Sequence, residues 1–239
     1  MKKEKESLKE AFGRMTLKEK AEYIFTYYKL PLFTAAVVLL VLGATAVREL
    51  TKKEQVLYLA CINLSIGDDL YGTLTDGFIE SLERDPKQYG VTVYRELYIS
   101  EDASQENHEY AYASKMKILG AISAKKMDVA LMNREAYDLM SQSGFLKDLS
   151  AEDAEWLSRI QPFAETNEVI VEDNAIEYRL NEADEYVYQS EEVLNGVNVT
   201  SAPIFRNAGM DGEVFLGIIA NAQRPRGSAA FVTYLLDQH

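Results

Sequence analysis

The longest break in the polar–apolar alternation of this chain lies near its N-terminus. Leu30 to Val47 reads LPLFTAAVVLLVLGATAV, 18 residues without a charge. As a helix that stretch would extend about 27 Å, close to the ~30 Å of a hydrocarbon layer. Lipid offers no partners to backbone polar groups, so a helix is the form expected there. Pro31 stands at its start, where a missing N–H costs little. Lys29 and Arg48 bound the run, and Tyr23, Phe25, Tyr27 and Tyr28 precede it as interfacial aromatics do. Upstream, Thr16 followed by Glu19 matches a capping box. Leu17, Ala21, Ile24, Tyr27 and Tyr28 then recur at helical spacing, the pattern of an amphipathic helix lying at the interface. Ala44-Thr45-Ala46 keeps a cleaved signal peptide open as the alternative to a retained anchor, although the run exceeds the roughly 7–15 apolar residues usual for one.

Beyond a charged linker at 48–55 the pattern becomes that of a folded domain, 56–239. Val56–Leu64 is nearly continuous in apolar residues and predicts a strand buried on both faces. Leu70, Leu74, Phe78 and Leu82 recur every four residues and predict a helix, ended by Pro86 and Gly90. Val91–Ile99 alternates as a second strand. Tyr110–Met127 reads as a helix, Asp128–Met132 as a third short strand, Glu135–Leu149 as a helix broken at Gly144, and Glu152–Ile160 as a further helix. This β-α-β-α-β order predicts a parallel or mixed sheet with helices on its faces, an α/β fold. From Val169 the pattern favours strands: Val169–Val171, Ile176–Leu180, Glu185–Gln189 and Val214–Ala220, with a turn signal at Asn195-Gly196. Ser228–Leu236 predicts a last helix with Phe231 and Leu235 inward.

Charge sharpens the picture. The net charge is −13, but residues 1–29 hold eight Lys/Arg against five Glu, while 48–239 hold 17 basic and 33 acidic residues. A basic arm before an apolar run predicts a cytoplasmic N-terminus and an extracytoplasmic C-terminal domain, a single-pass membrane protein. The acidic domain argues against nucleic-acid binding, which needs Lys/Arg to neutralise phosphates, and against docking on anionic lipid. Cys61 is the sole cysteine, so no intrachain disulfide forms; it sits in the Val56–Leu64 run, where a buried, inert thiol is expected.

Candidate chemistry is sparse. In open α/β sheets ligands sit beyond the carboxyl ends of strands, near helix N-termini. That rule nominates Ser65, Gly67, Asp68 and Asp69 after the first strand, Asn133 and Arg134 after the third, and Asn221 after the late apolar strand. Each has a plainer role available. Asp68 and Asp69 suit a helix start, Asn133 suits a cap, and Asn221 suits a turn. Arg134 suits either a ligand carboxylate or open surface. Twelve tyrosines and Trp156 in the domain could stack on ligand or simply pack, and Tyr186 and Tyr188 would share one face of a strand. The pairs Glu152-Asp153, Glu172-Asp173 and Glu191-Glu192 lack calcium-loop spacing, and His108 and His239 are too far apart in sequence to suggest a metal site. No Walker, G-x-S-x-G or Cys/His pattern is present, so no cofactor and no enzyme activity are expected. Asn63-Leu64-Ser65 and Asn198-Val199-Thr200 match glycosylation sequons by chance spacing.

The arm and span, MTLKEKAEYIFTYYKLPLFTAAVVLLVLG, resemble the start of a group of bacterial single-span proteins. The domain resembles extracellular solute-binding proteins of the two-lobe, periplasmic-binding type. Two stretches carry that likeness: DVALMNREAYDLMSQSGFLKDLS at 128–150 and EVFLGIIANAQRPRGSAAFVTYLLDQ at 213–238. The resemblance implies a binding domain of that type, shortened by a reduced second lobe. The partners it implies are the bilayer through residues 30–47 and a small solute or peptide. The alternative is an interaction module of a cell-envelope complex, with a membrane or envelope protein as partner.

Overall fold

The computed structural model describes Thr16, Lys18 and residues 29–50, 52–100, 108–170, 179–180, 186–187 and 190–237. The chain divides into two compact units, 1–52 and 53–239. The arm predicted as an amphipathic helix lies outside the described residues, apart from Thr16 and Lys18.

In the first unit, helix α1 covers Lys29–Leu50, 22 residues. Its apolar side chains are exposed, Leu30 at 80% and Leu40 at 72%. The hydroxyls of Thr34 and Thr45 donate back to the carbonyls of Leu30 and Val41, each at 3.0 Å, so these side chains hold their polar atoms within the helix. Among the described residues no helix is long and apolar enough to cross a membrane.

The second unit is an α/β layer fold on a mixed sheet. Its strands are β1 (Glu54–Ile62), β2 (Tyr89–Leu97), β3 (Val129–Met132), β4 (Ala164–Ile170), β7 (Ser190–Asn198) and β8 (Phe215–Ile218), in the order β2-β1-β3-β8-β7-β4. As expected from the β-α-β-α-β pattern, β2 and β3 both run parallel to β1. The later strands do not continue that direction: β8 is antiparallel to β3, β7 to β8, and β4 to β7. Two short strands, β5 (Arg179–Leu180) and β6 (Tyr186–Val187), pair with each other; the remainder of the two strands expected there lies outside the described residues.

The period of two in β1 explains why its apolar run is nearly continuous. Leu57, Leu59 and Cys61 face one core while Ala60 and Ile62 face the other, all fully buried. β3 divides the same way, Val129 and Leu131 against Ala130 and Met132. The first face is covered by α2 (Asp68–Gly72), α3 (Phe78–Ser81), α6 (Ala154–Ile160), α7 (Pro203–Asn207) and α8 (Pro225–Leu236). The second is covered by α4 (His108–Ser123) and α5 (Arg134–Gln142). Phe78 meets Phe231 edge-on at 5.0 Å between ring centroids, tying α3 to α8.

Several boundaries differ from the sequence pattern, each for a local reason. The helix expected from Leu70 begins at Asp68 and widens into a π turn at Thr73–Gly77 between α2 and α3. There the Tyr234 hydroxyl donates to the Thr73 carbonyl at 3.0 Å. The helix expected over Glu135–Leu149 stops at Gln142, as Gly144 takes a left-handed φ of 68°. The chain then runs extended, with Leu146 bridged to Ile219. β4 begins at Ala164, ahead of the apolar residues that suggested a strand from Val169. Asn195-Gly196 is not a turn. It lies inside β7, where Glu165 pairs with Gly196 and Thr166 with Leu194, so Asn195 is the extra residue of a bulge. The Tyr137 ring lies against Gly196, with its Cζ 2.6 Å from where a Cβ would stand. Only glycine leaves that space free.

One buried carboxylate joins the pieces. Asp128, fully buried, accepts at Oδ2 from the Tyr58 N–H (2.9 Å) and from Arg224 Nη1 (3.3 Å), and at Oδ1 from the Gln223 N–H (3.0 Å). Its own N–H donates to the Tyr58 carbonyl, and its carbonyl accepts from the Ile219 N–H. Arg224 also donates from Nε to the Gln55 carbonyl at 2.9 Å and lies over the Tyr58 ring. Asp128→Ala should therefore cost about 3 kcal/mol or more, since buried N–H groups lose their acceptor. Urea unfolding should show a lower midpoint at unchanged slope; a loss near zero would remove Asp128 from this role. Gly196→Ala should cost about 1–3 kcal/mol by forcing the Tyr137 ring aside, and a Tyr137→Phe background should recover little of it, because the ring carbons clash as well.

Candidate functional site

The carboxyl edge of β1, β2 and β3 is the place where an open α/β sheet puts a ligand. Because β8 and β4 run the other way, their N-terminal ends also reach this edge, beside the C-terminal end of β7. Most of the polar groups there hold the fold together. Asn63, in a left-handed conformation with φ 56°, donates from Nδ2 to the Ile99 carbonyl (2.7 Å) and accepts at Oδ1 from the Ile99 N–H (2.8 Å). That clamp closes the ends of β1 and β2 and occupies the amide of the first sequon. Asn198, of the second sequon, donates to Glu165 and accepts from the Thr200 N–H.

The nominated residues divide. Ser65 and Gly67 are exposed in the turn after β1, and Gly67, not an aspartate, is the N-cap of α2. Asp68 and Asp69 are first-turn acids, favoured there by the helix dipole. Asp68 pairs with Arg95 at 3.4 Å on the open surface, where such a pair contributes little. Asp69 borders a cavity of about 300 Å³ between α2 and α7, together with Thr73, Pro203 and Asn207. Asn133 caps α5, its Oδ1 accepting from the Ala136 N–H at 2.9 Å. Asn221 is misplaced by the sequence argument. β8 is antiparallel, so the residues after it stand at the opposite edge of the sheet, where Asn221 donates to the Ile122 carbonyl at 2.9 Å.

Arg134 is at the expected edge but is already engaged. Its guanidinium lies 3.9 Å from the centroid of the Phe215 ring, a cation–π contact. Nε is 3.4 Å from Glu213 and Nη2 is 3.9 Å from Glu165. A ligand carboxylate would have to displace both acids. Below it, Tyr137 stacks on Phe215 at 5.0 Å and donates to Asn195 Oδ1 at 2.8 Å. Asn195 donates to Ser141, and Ser141 to the Glu168 carbonyl. All the side chains of this network are buried and satisfied, which makes it a rigid floor.

Beside that floor lies an open groove of about 850 Å³. Pro162, Phe163 and Ala164 line it from the turn entering β4, and Met210 from the segment after α7. Asn198, Thr200 and Ser201 contribute from the end of β7. Its charged residues are Glu165, Arg206, Asp211 and Glu213. None of the nominated residues is among them. Residues 162–165, 198–201 and 206–213 come together because β7 and β8 return antiparallel, and no local spacing announces that. The Asp211-Gly212 pair, with Gly212 at φ 121°, was a visible turn signal without a visible neighbour.

Another cavity, of about 1030 Å³, lies between α4 and α5 and is bordered by Ile118, Leu139, Phe145 and Ile170. Tyr110 and Tyr112 on α4 are exposed, and the Tyr110 hydroxyl donates to the Glu96 carbonyl. Trp156 packs against the first core and donates to the Ala229 carbonyl at 3.4 Å. Among the described residues no group of His, Cys, Asp and Glu is placed to hold a metal. Compared with protein-family models, with curated proteins and with solved structures, the chain has no match in any of the three.

Cys61 is fully enclosed in β1, and burial pushes its thiol up to about 12, against a slight opposing pull from Arg95. A nucleophile or metal ligand needs the thiolate. Native protein should therefore give no colour with a disulfide reagent at pH 8 and react in full once unfolded in guanidinium. The same shift makes the native state hold its proton where the unfolded state, with an ordinary value of 9.0, has lost it. Tyr137 and Tyr234 are raised by burial as well. Stability should thus fall as pH rises from about 9; a flat urea midpoint between pH 9 and 11 would contradict this account.

Proposed function

We propose that this protein is a non-enzymatic binding domain displayed outside a cell membrane on a single N-terminal helix. Supporting the anchor are the 18 uncharged residues of Leu30–Val47, the basic flank before them and the exposed apolar side chains of α1. Supporting the binding role is the open groove at the carboxyl edge of a rigid α/β sheet, the observation that carries the reading. The resemblance to solute-binding proteins points the same way, with one lobe retained. Between β4 and β7, where a second lobe could be inserted, the chain has only residues 171–189. One lobe does not enclose a small solute between two walls, so the groove suits a ligand that is itself held by something larger.

That consideration favours the interaction module of a cell-envelope complex over a receptor for free solutes. The spent state of Arg134, Asn133 and Asn63 agrees with it, because the groups that would recognise a small molecule at the strand ends already serve the fold.

Topology is checked by fusing alkaline phosphatase or a green fluorescent protein after residue 239 in bacterial cells. An exported domain gives active phosphatase and a dark fluorescent fusion; the reverse pair would refute the placement. Ligand class is checked by thermal shift against sugars, amino acids, short peptides and metal ions. Peptides should raise the melting point and free sugars or amino acids should leave it unchanged, since only a ligand that prefers the folded state stabilises it. Stabilisation by a free sugar or amino acid would restore the solute-receptor reading.

A further inference from the structure

We propose that the groove between the turn entering β4, the end of β7 and the segment after α7 docks an extended peptide segment that carries both basic and apolar residues. This rests on the reading of the domain as a binding module and names the partner chemistry.

The groove presents two kinds of surface. Phe163 and Met210 are partly buried hydrophobic side chains packed on the first core, and they offer apolar area at the lining. Glu165, Asp211 and Glu213 contribute three carboxylates to the same lining. Arg134 sits between Glu165 and Glu213 and balances part of that charge, and Arg206 at the rim balances part of the rest. Three carboxylates against two guanidiniums leave one negative charge in excess, and it belongs to a stretch, 48–239, that carries 33 acidic against 17 basic residues. A positively charged segment is therefore drawn toward the domain at long range and finds acceptors at this groove. A segment that carries both basic and apolar side chains serves both kinds of lining at once. An acidic segment meets repulsion at the same carboxylates, and a purely apolar one covers Asp211 without pairing it.

The probe is a fluorescein-labelled heptapeptide of alternating lysine and leucine, with a glutamate–leucine heptapeptide as counterpart. Binding to the full-length protein in nonionic detergent is followed by fluorescence anisotropy. The variant is Asp211→Asn with Glu213→Gln. Its control is Glu191→Gln with Glu192→Gln, which makes the same charge change on exposed residues at the far end of β7. The lysine peptide should bind, and its affinity should fall by about fivefold or more in the groove variant, the scale for losing close charge partners. It should stay within about twofold in the control, the scale of screened surface charge, and the glutamate peptide should not bind. Equal losses in both variants would show general attraction to an acidic domain and overturn the proposal, as would unchanged binding in the groove variant or no binding at all. Should the groove variant melt below the control, the single exposed change Asp211→Asn is read in its place, with any loss at least that of either single control change. A peptide of different composition that stabilises the domain, with no binding of the lysine peptide, would keep the binding-module reading and sink this groove assignment.

Discussion

The second unit hangs on a single buried carboxylate. Asp128 stands at the head of β3, the strand that joins the parallel half of the sheet to its antiparallel half. An ionised group with no exposed surface persists inside a protein only where its lone pairs are occupied. Here two backbone N–H groups and a guanidinium occupy them, and they come from β1, from the loop after β8 and from the residue that caps α8. The carboxylate therefore sets where β1, β3 and the adjacent residues Gln223 and Arg224 must meet. It also places Arg224, whose Nε is bound to the Gln55 carbonyl, so that α8 starts beside the first strand. The contact there is close enough that a Cβ on Gly227 would come within 2.5 Å of the Val56 carbonyl oxygen.

The other end of the sheet carries the groove. At the carboxyl edge the sheet is closed over β1 and β2 by the Asn63–Ile99 clamp, and over β3 and β8 by Arg134 lying on Phe215 between its two acids. It is open over β7 and β4, where the bulge at Asn195 lets Tyr137 in beneath the strand. The network Tyr137–Asn195–Ser141 is fully buried and fully paired, so the floor beneath this part of the edge cannot easily relax. A rigid floor with an open rim lowers the ordering cost of docking a flexible segment, because the protein side has little freedom to lose.

Two of the buried titratable groups are held away from reactive forms. The thiol of Cys61 and the phenol of Tyr137 are both held in their protonated forms by burial, the opposite of what a nucleophile or base requires. Three carboxylates, those of Glu165, Asp211 and Glu213, line the groove, where they contribute charge and polar acceptors.

What the residues determined by themselves was local. The apolar run of β1, the helical recurrence of Leu70, Leu74 and Phe78, the cap at Asn133, the break at Gly144 and the burial of Cys61 each follow from a periodicity or a turn preference within a few positions. The parallel pairing of β1, β2 and β3 followed too, because a strand, a helix and a strand in succession leave one handed solution. The direction of β8 did not follow, as an apolar strand reads the same from either end. That one reversal carried Asn221 to the wrong edge and brought Glu165, Asn198 and Glu213 to the right one. Asn195-Gly196 likewise reads as a turn until Tyr137, far away in sequence, occupies the space above the glycine. Periodicity is a property of neighbours along the chain, whereas strand direction, bulges and buried pairs are settled by contacts between distant segments, and those only the tertiary structure supplies.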